Sequence, residues 1–202
     1  MRFLSIRKPR FRRRSERRRG GQLTSWIVVI VLFGACALLA ARLEELGKLE
    51  LAGSARIHDG DTLTLEGERI RLRGIDAFEH DQTCEDDGRT YACGQQATAY
   101  LRQIAAMPGI KCAGSRRDRY GRLLAECAVG GRSLNREMVS SGWAVSYGDY
   151  ESAEANARAN RRGAWRGEFV EPREWRAAKG HPAENQHDLI GWLLEKVSGF
   201  LL

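Results

Sequence analysis

Residues 23–41 read LTSWIVVIVLFGACALLAA, nineteen positions without a charge. At about 1.5 Å rise per residue, a helix of that length just crosses a hydrocarbon core of roughly 30 Å. Further along, the apolar spacing shortens. Residues 52–58 and Thr62–Leu65 read as strands joined by the turn Asp59-Gly60-Asp61. A third strand over 69–75 follows Glu66-Gly67-Glu68, with Ile70 and Leu72 facing one way and Arg71 and Arg73 the other. Apolar positions over 95–106 recur at helical spacing and stop before Pro108. Residues 110–113 and 123–129 form a hairpin around 116–122. Ser133 is placed to N-cap a helix over 134–141 that ends at Gly142. An Ala/Glu/Arg-rich helix over 151–161 ends at Gly163, with Trp165 beyond it as a packing anchor. In the tail, Leu189, Ile190, Leu193, Leu194, Val197 and Leu201 again recur at helical spacing.

Three strands, a helix, two strands and then helices is the order of a small Greek-key barrel with helical additions. The expected class is α+β: an OB-fold five-stranded Greek-key β-barrel with about three helices, plus an N-terminal transmembrane helix. The chain divides into a basic head (1–22), a membrane span (23–41), a polar neck (42–50), a globular domain (51–180) and an amphipathic C-terminal tail (181–202). That tail is short for a bilayer span, and docking and interfacial membrane contact are both open to it. No internal repeat is visible.

Charge changes this picture. The net charge of +7 suggests a nucleic-acid binder, but residues 1–20 alone hold nine Arg and one Lys against one Glu, so the remainder is slightly acidic. The basic character belongs to the head. Arg-rich sequence on the N-terminal side of an apolar span keeps that side cytoplasmic and sends the rest across. An uncleaved signal anchor is favoured over a cleaved signal peptide, because the apolar run is long and Ala35-Cys36-Ala37 lies inside it. The domain is then single-pass, membrane-anchored and periplasmic or otherwise extracytoplasmic. Beyond Cys36, whose fate is left open, an even set of cysteines remains: Cys84, Cys93, Cys112 and Cys127. Of the three possible pairings the local one is favoured, Cys84 with Cys93 and Cys112 with Cys127, since each pair brackets a turn or hairpin. Export would preserve such bonds. Zinc is the alternative, but no CxxC supports it, and His58, His80, His181 and His187 lack ligand-like spacing.

Two arginines, an aspartate and a glutamate crowd the run RIRLRGIDAFEH, residues 69–80. Phosphodiester hydrolysis needs fixed positive charge where the transition state gathers negative charge, a means of activating water, and often a metal ion. Arg suits the first task through its planar fork, and clustered carboxylates suit a hard divalent ion. Asp61 follows the first turn and Asp76 ends the third strand, so a three-strand meander brings both to one edge. Glu79 lies three residues on, Arg71 is in the third strand, and Arg122 closes RDRYGR in the hairpin loop. Individually these are a common polar turn, a solvated strand face and a tight turn at Gly121.

Their order carries more. DGDT, then RLRGIDAFE, a helix, DRYGR before a strand, LNREMVSSGWA and an Ala-rich helix ending in RRGAW together resemble the staphylococcal-nuclease (thermonuclease) family, over residues 52–166. The resemblance implies Ca²⁺ held by Asp61 and Asp76 with a backbone carbonyl from Ala77. It implies Glu79 as general base, with Arg71 and Arg122 stabilising a phosphorane-like transition state. The implied reaction is endo- and exonucleolytic hydrolysis of DNA and RNA with little sequence preference, leaving 3′-phosphates. Arg119 and Tyr120 match a phosphate- and base-contacting pair, and Tyr147 and Tyr150 fall near the family's stacking tyrosines. Two departures stand out. Ala77-Phe78 replaces the usual Thr-Pro, which frees the backbone that aims Glu79, and DQTCEDDGRTYACG is a rebuilt loop with the acidic cluster Glu85-Asp86-Asp87. The alternative is a catalytically weak or inactive OB-fold module, anchored to the membrane, that binds nucleic acid or protein.

Overall fold

A computed structural model describes residues 18–180 of the chain; the first part of the basic head and the tail over 181–202 lie outside the described residues. The chain divides into two compact units, Met1–Glu44 and Glu45–Leu202.

The first unit contains most of helix α1, Arg18–Leu46. Its segment Ser25–Arg42 is long and apolar enough to cross a membrane by length and composition. The helix outruns the uncharged stretch at both ends. Cys36 on this helix is exposed and not disulfide-bonded.

The second unit holds, in chain order, β1 (Leu49–Gly53), β2 (Ala55–Ile57), β3 (Thr62–Leu65), β4 (Glu68–Leu72), β5 (Ile75–Ala77), β6 (Cys84–Asp86), β7 (Arg89–Tyr91), α2 (Cys93–Ile104), β8 (Ile110–Arg117), β9 (Leu123–Val129), β10 (Arg132–Ser133), α3 (Leu134–Ser140), β11 (Ala144–Ser146), α4 (Glu151–Ala159) and α5 (Pro172–Ala178), with a 3₁₀ turn at Gly163–Arg166 before α5. The main sheet runs β1-β8-β9-β4-β3-β2, with β10 added to β9. Its two end strands are consecutive in the chain and only Ser54 separates them, so the sheet has to curl. The fold is α+β, as the pattern predicted, but the sheet is a curled half-barrel built from more and shorter pieces than five strands, and the described part of this unit holds four α-helices where about three were expected. Residues 52–58 are not one strand: the chain pairs with β8 up to Gly53 and with β3 from Ala55.

The strand expected over 69–75 also breaks. β4 pairs with β3 and lies parallel to β9, whereas β5 leaves the sheet after Gly74 (φ 76°) and pairs with β11. This turn lifts Asp76 out of the β4 register. Leu63, Leu65, Ile70, Leu72, Ile110 and Leu123 from the sheet are closed over by Leu101 of α2 and by Leu134 and Met138 of α3, all buried. Each such side chain contributes about 1.5–3 kcal/mol relative to exposure. Ser133 caps α3 as expected, its Oγ accepting from Arg136 N at 3.2 Å. Trp165 meets Phe169 edge-on at 4.7 Å, with Arg158 over its ring. Both local disulfides are formed, Cys84 to Cys93 and Cys112 to Cys127.

Candidate active site

The β3–β4 register sets Thr62 opposite Arg71, and the short strand β5 supplies Asp76. Asp61, Arg71 and Asp76 are 5, 4 and 3% exposed, so their charges have to pair inside the protein. Arg71 Nη1 donates to Asp61 Oδ1 at 2.9 Å and lies 2.8 Å from Oδ2, while Nη2 donates to Asp76 Oδ1 at 2.9 Å. Thr62 Oγ1 donates to Asp61 Oδ1 at 2.9 Å and accepts from Arg122 Nη1 at 3.3 Å. Residues from three separate stretches of sequence therefore form one network. Asp59, expected only as part of the turn before β3, belongs with it. Its Oδ1 accepts from the backbone N–H of Asp61 at 3.1 Å and of Thr62 at 2.7 Å. Burial, and then the Asp61 charge, push its carboxyl up to about 7.

Arg122 is aimed by the loop that carries it. Asp118 Oδ1 accepts from Tyr120 N and Arg122 N, both at 2.9 Å, and its Oδ2 accepts from Arg122 Nε at 2.6 Å. Gly121 N donates to Asp118 O at 3.0 Å and takes the left-handed φ of 78° that its turn needs. Tyr120 stands at the rim, 57% exposed, with the Arg119 and Arg122 guanidinium carbons 4.8 and 5.3 Å from its ring centroid.

Glu79 is positioned by packing where the usual proline is missing. Phe78 is 1% exposed and meets Phe169 edge-on at 5.0 Å, which anchors the residue before Glu79. Gln82 Oε1 accepts from Glu79 N at 3.1 Å, and Gln82 Nε2 donates to Val170 O at 2.7 Å. At Gly94 a Cβ would meet Glu79 O at 1.6 Å, so the first turn of α2 lies directly on the Glu79 backbone. The Glu79 carboxylate accepts from Arg176 Nη1 at 2.7 Å. Arg176, on α5, also donates through Nη1 and Nη2 to Asp76 Oδ1 and Oδ2 at 2.9 and 2.8 Å. Burial raises the Asp76 and Glu79 carboxyl pKa values, and the bonds from Arg176 oppose that rise. For Arg176 itself burial works against the charge, but bonding to Asp76 and Glu79 outweighs it and holds the guanidinium above its ordinary range.

These groups surround a cleft of about 230 Å³ lined by Asp59, Asp61, Arg71, Ala77, Glu79, Tyr120 and Arg122, and on the α5 side by Trp175, Arg176 and Lys179. Arg119, Tyr147 and Tyr150 are not part of that lining. Tyr147 N donates to Gly74 O at 2.8 Å. Tyr150, half-buried at the start of α4, faces Arg136, which lies 5.7 Å from its ring centroid. Of the acidic loop cluster, Asp86 pairs with Arg166 at 2.7 Å, and the backbone of Glu85 bonds to that of Glu168.

As donors for a metal, the carboxylates of Asp61 and Asp76 are hard anionic oxygens of the kind Ca²⁺ takes. They fit in chemistry, but among the described residues no three Asp, Glu, His or Cys side chains converge to hold an ion by themselves. The Asp61 and Asp76 oxygens are occupied by Arg71 and Arg176.

Carboxylates bridged by arginine line this cleft, and similarity narrows the class of the protein. Residues 69–167 match the family described as Staphylococcal nuclease homologue. The chain is 38% identical over 141 residues to the succinoglycan biosynthesis protein ExoI of Rhizobium meliloti (strain 1021), covering 64% of this chain and 74% of that protein. It is 29% identical over 166 residues to an uncharacterized endonuclease of Haemophilus influenzae, covering 76% of this chain and 83% of the relative. An uncharacterized endonuclease of Escherichia coli O157:H7 is 32% identical over 136 residues, covering 61% and 83%. The chain belongs to the staphylococcal nuclease homologue family.

Proposed function

We propose that the chain is a membrane-anchored, calcium-dependent phosphodiesterase that cuts DNA and RNA with little sequence preference and leaves 3′-phosphates. The observation that carries this reading is the convergence of Asp61, Arg71, Asp76, Glu79 and Arg122 on one cleft of a family fold. Nucleic acid reaches the cleft past Tyr120, whose exposed ring offers a stacking surface flanked by the Arg119 and Arg122 charges.

Asp61 and Asp76, with the Ala77 carbonyl, would hold calcium, which when bound neutralises part of the phosphate charge. Arg122 and the Arg71 charge held between Asp61 and Asp76 stabilise the negative charge as it builds on the non-bridging oxygens. Glu79 takes a proton from the attacking water as the new P–O bond forms. The bond from phosphorus to the 5′-oxygen breaks, the 5′-oxygen leaves with a proton from solvent, and the 3′ side keeps the phosphate. A half-buried carboxylate with a raised pKa is a better base than an ordinary one while it remains ionised near neutral pH.

Anchoring is assigned to α1, with the N-terminus cytoplasmic and the nuclease unit periplasmic or extracytoplasmic. The support is the Arg-rich head, the apolar Ser25–Arg42 segment and two disulfides, which persist in an oxidising compartment.

Single-turnover cleavage of labelled single-stranded DNA by the full chain tests the residue roles. Glu79→Gln and Arg122→Ala are each expected to slow the chemical step by on the order of 10²-fold or more, in line with loss of a general base or of a transition-state donor. Wild-type rates in both variants would rule out these roles. Binding without cleavage by the wild type would favour the binding-module reading.

A further inference from the structure

Arg176 makes contacts of the kind that a metal ion would make. Its Nη1 and Nη2 cover both Asp76 oxygens, at 2.9 and 2.8 Å, and Nη1 also holds Glu79 Oε1 at 2.7 Å. With Arg71 Nη2 on Asp76 Oδ1 as well, the lone pairs of Asp76 that point into the cleft are used by guanidinium groups. An oxygen that accepts from a guanidinium at such distances cannot offer the same lone pair to a cation.

We propose that Arg176 is the resident cation of this carboxylate site, and that a divalent metal ion binds there by displacing it. The proposal rests on the metal role given above to Asp61 and Asp76. It makes Arg176 the residue that sets the affinity of the site, and a positioning residue for Glu79 until the ion arrives.

Two further features of α5 support exchange. First, the helix is lightly held. It is seven residues long, Pro172 is its only fully buried residue, and among the described residues its side-chain ties to the cleft rim besides Arg176 are Trp175 Nε1 donating to Asp81 Oδ1 at 3.3 Å and the Lys179–Asp81 ion pair just after the helix. The chain before it is fixed at Val170 by Gln82, which leaves a hinge between a held residue and a loosely held helix. Second, the docked state is not fully satisfied. Arg176 Nε is buried without a hydrogen-bond partner, a desolvation cost that undocking removes. The charges agree. Asp59, Asp61, Asp76, Glu79 and Asp81 face Arg71, Arg122, Arg176 and Lys179 around the cleft, so a doubly charged ion entering beside a docked Arg176 meets one more positive charge than an ion that replaces it.

The test is calcium titration calorimetry on the full chain in detergent, comparing wild type, Arg176→Gln and Arg173→Gln. The last makes the same charge change on α5 at an exposed residue outside the cleft lining. Arg176→Gln is expected to tighten calcium binding by about tenfold or more, with Arg173→Gln within about twofold of wild type. Equal or weaker binding by Arg176→Gln would overturn the proposal, as would the same tightening in Arg173→Gln. In neither case would the calcium role of Asp61 and Asp76 be touched. No calcium binding by any of the three would overturn both. Limited trypsin digestion of the wild type gives a second readout that needs no variant to fold. Calcium is expected to speed cleavage after Arg173, Arg176 and Lys179; unchanged or slower cleavage in saturating calcium would contradict displacement.

Discussion

Asp118 grips Arg122 twice, taking the backbone N–H at 2.9 Å through Oδ1 and the side-chain Nε at 2.6 Å through Oδ2. One aspartate thus shapes the turn and fixes the direction of the arginine that reaches Thr62 in the buried network. Asp118→Ala is expected to lower kcat on single-stranded DNA by on the order of 10²-fold while changing KM little, as misplacing a reacting-site group by about 1 Å does. Steady-state kinetics check this, and a change confined to KM would assign Asp118 to binding instead.

The contact between Gly94 and Glu79 gives a prediction about a residue outside the cleft. A Cβ at position 94 would overlap Glu79 O at 1.6 Å, so either the start of α2 or the Glu79 backbone must shift. Gly94→Ala is expected to destabilise the fold by about 1–3 kcal/mol, the usual range for overpacking. It should also slow cleavage at temperatures where the variant is fully folded. Thermal unfolding followed by circular dichroism, with activity measured well below the transition, separates the two effects.

How much of this could be read in the sequence depends on how local each feature is. The Ser133 cap, the Thr62–Leu65 strand and the two disulfides are written within a few residues or across one hairpin, and the structure carries them as expected. Asp61, Arg71, Asp76, Glu79 and Arg122 could be named because their order matches a family motif. Arg176 could not. It joins Asp76 from 100 residues away and Glu79 from 97, and nothing in PREWRAA marks it apart from a short polar helix. The breaks at Ser54 and Gly74 were also hidden, since period-two alternation does not say where a strand changes partners. The loss of the usual proline suggested a loose Glu79. Compensation by Phe78, Gln82 and Gly94 is tertiary and visible only in the fold.

Tyr150 supplies a pH signature away from the cleft. Burial, and then the Glu126 carboxylate, push its phenol up to about 12 from the ordinary 10.0. The folded state then keeps a proton that the unfolded state releases earlier. Its contribution to stability is whole below about pH 10 and is lost as pH rises through about 12. Burial also raises Tyr91 and Tyr100, so tyrosinate absorbance is expected to show three of the five tyrosines ionising late, one of them at about 12. That last step should be absent in Tyr150→Phe, and its persistence there would assign it to another tyrosine.

The Cys112–Cys127 bond closes a sequence separation of 15 residues across the β8–β9 hairpin that carries Arg122 in its loop. Replacing both cysteines by Ala is expected to cost about 3 kcal/mol, the loop-closure value for that length. The corresponding fall in Tm is roughly 2–4 °C per kcal/mol for a domain of this size. Differential scanning calorimetry of the oxidised wild type against the double variant measures it.

The most direct measurement is cleavage of 5′-labelled denatured DNA by the full chain in detergent, in CaCl₂ and in EGTA, with the product ends identified by phosphatase sensitivity. The account predicts cutting in calcium, none in EGTA, and 3′-phosphate ends. Tight binding of the same DNA with no cleavage at any calcium concentration would contradict it.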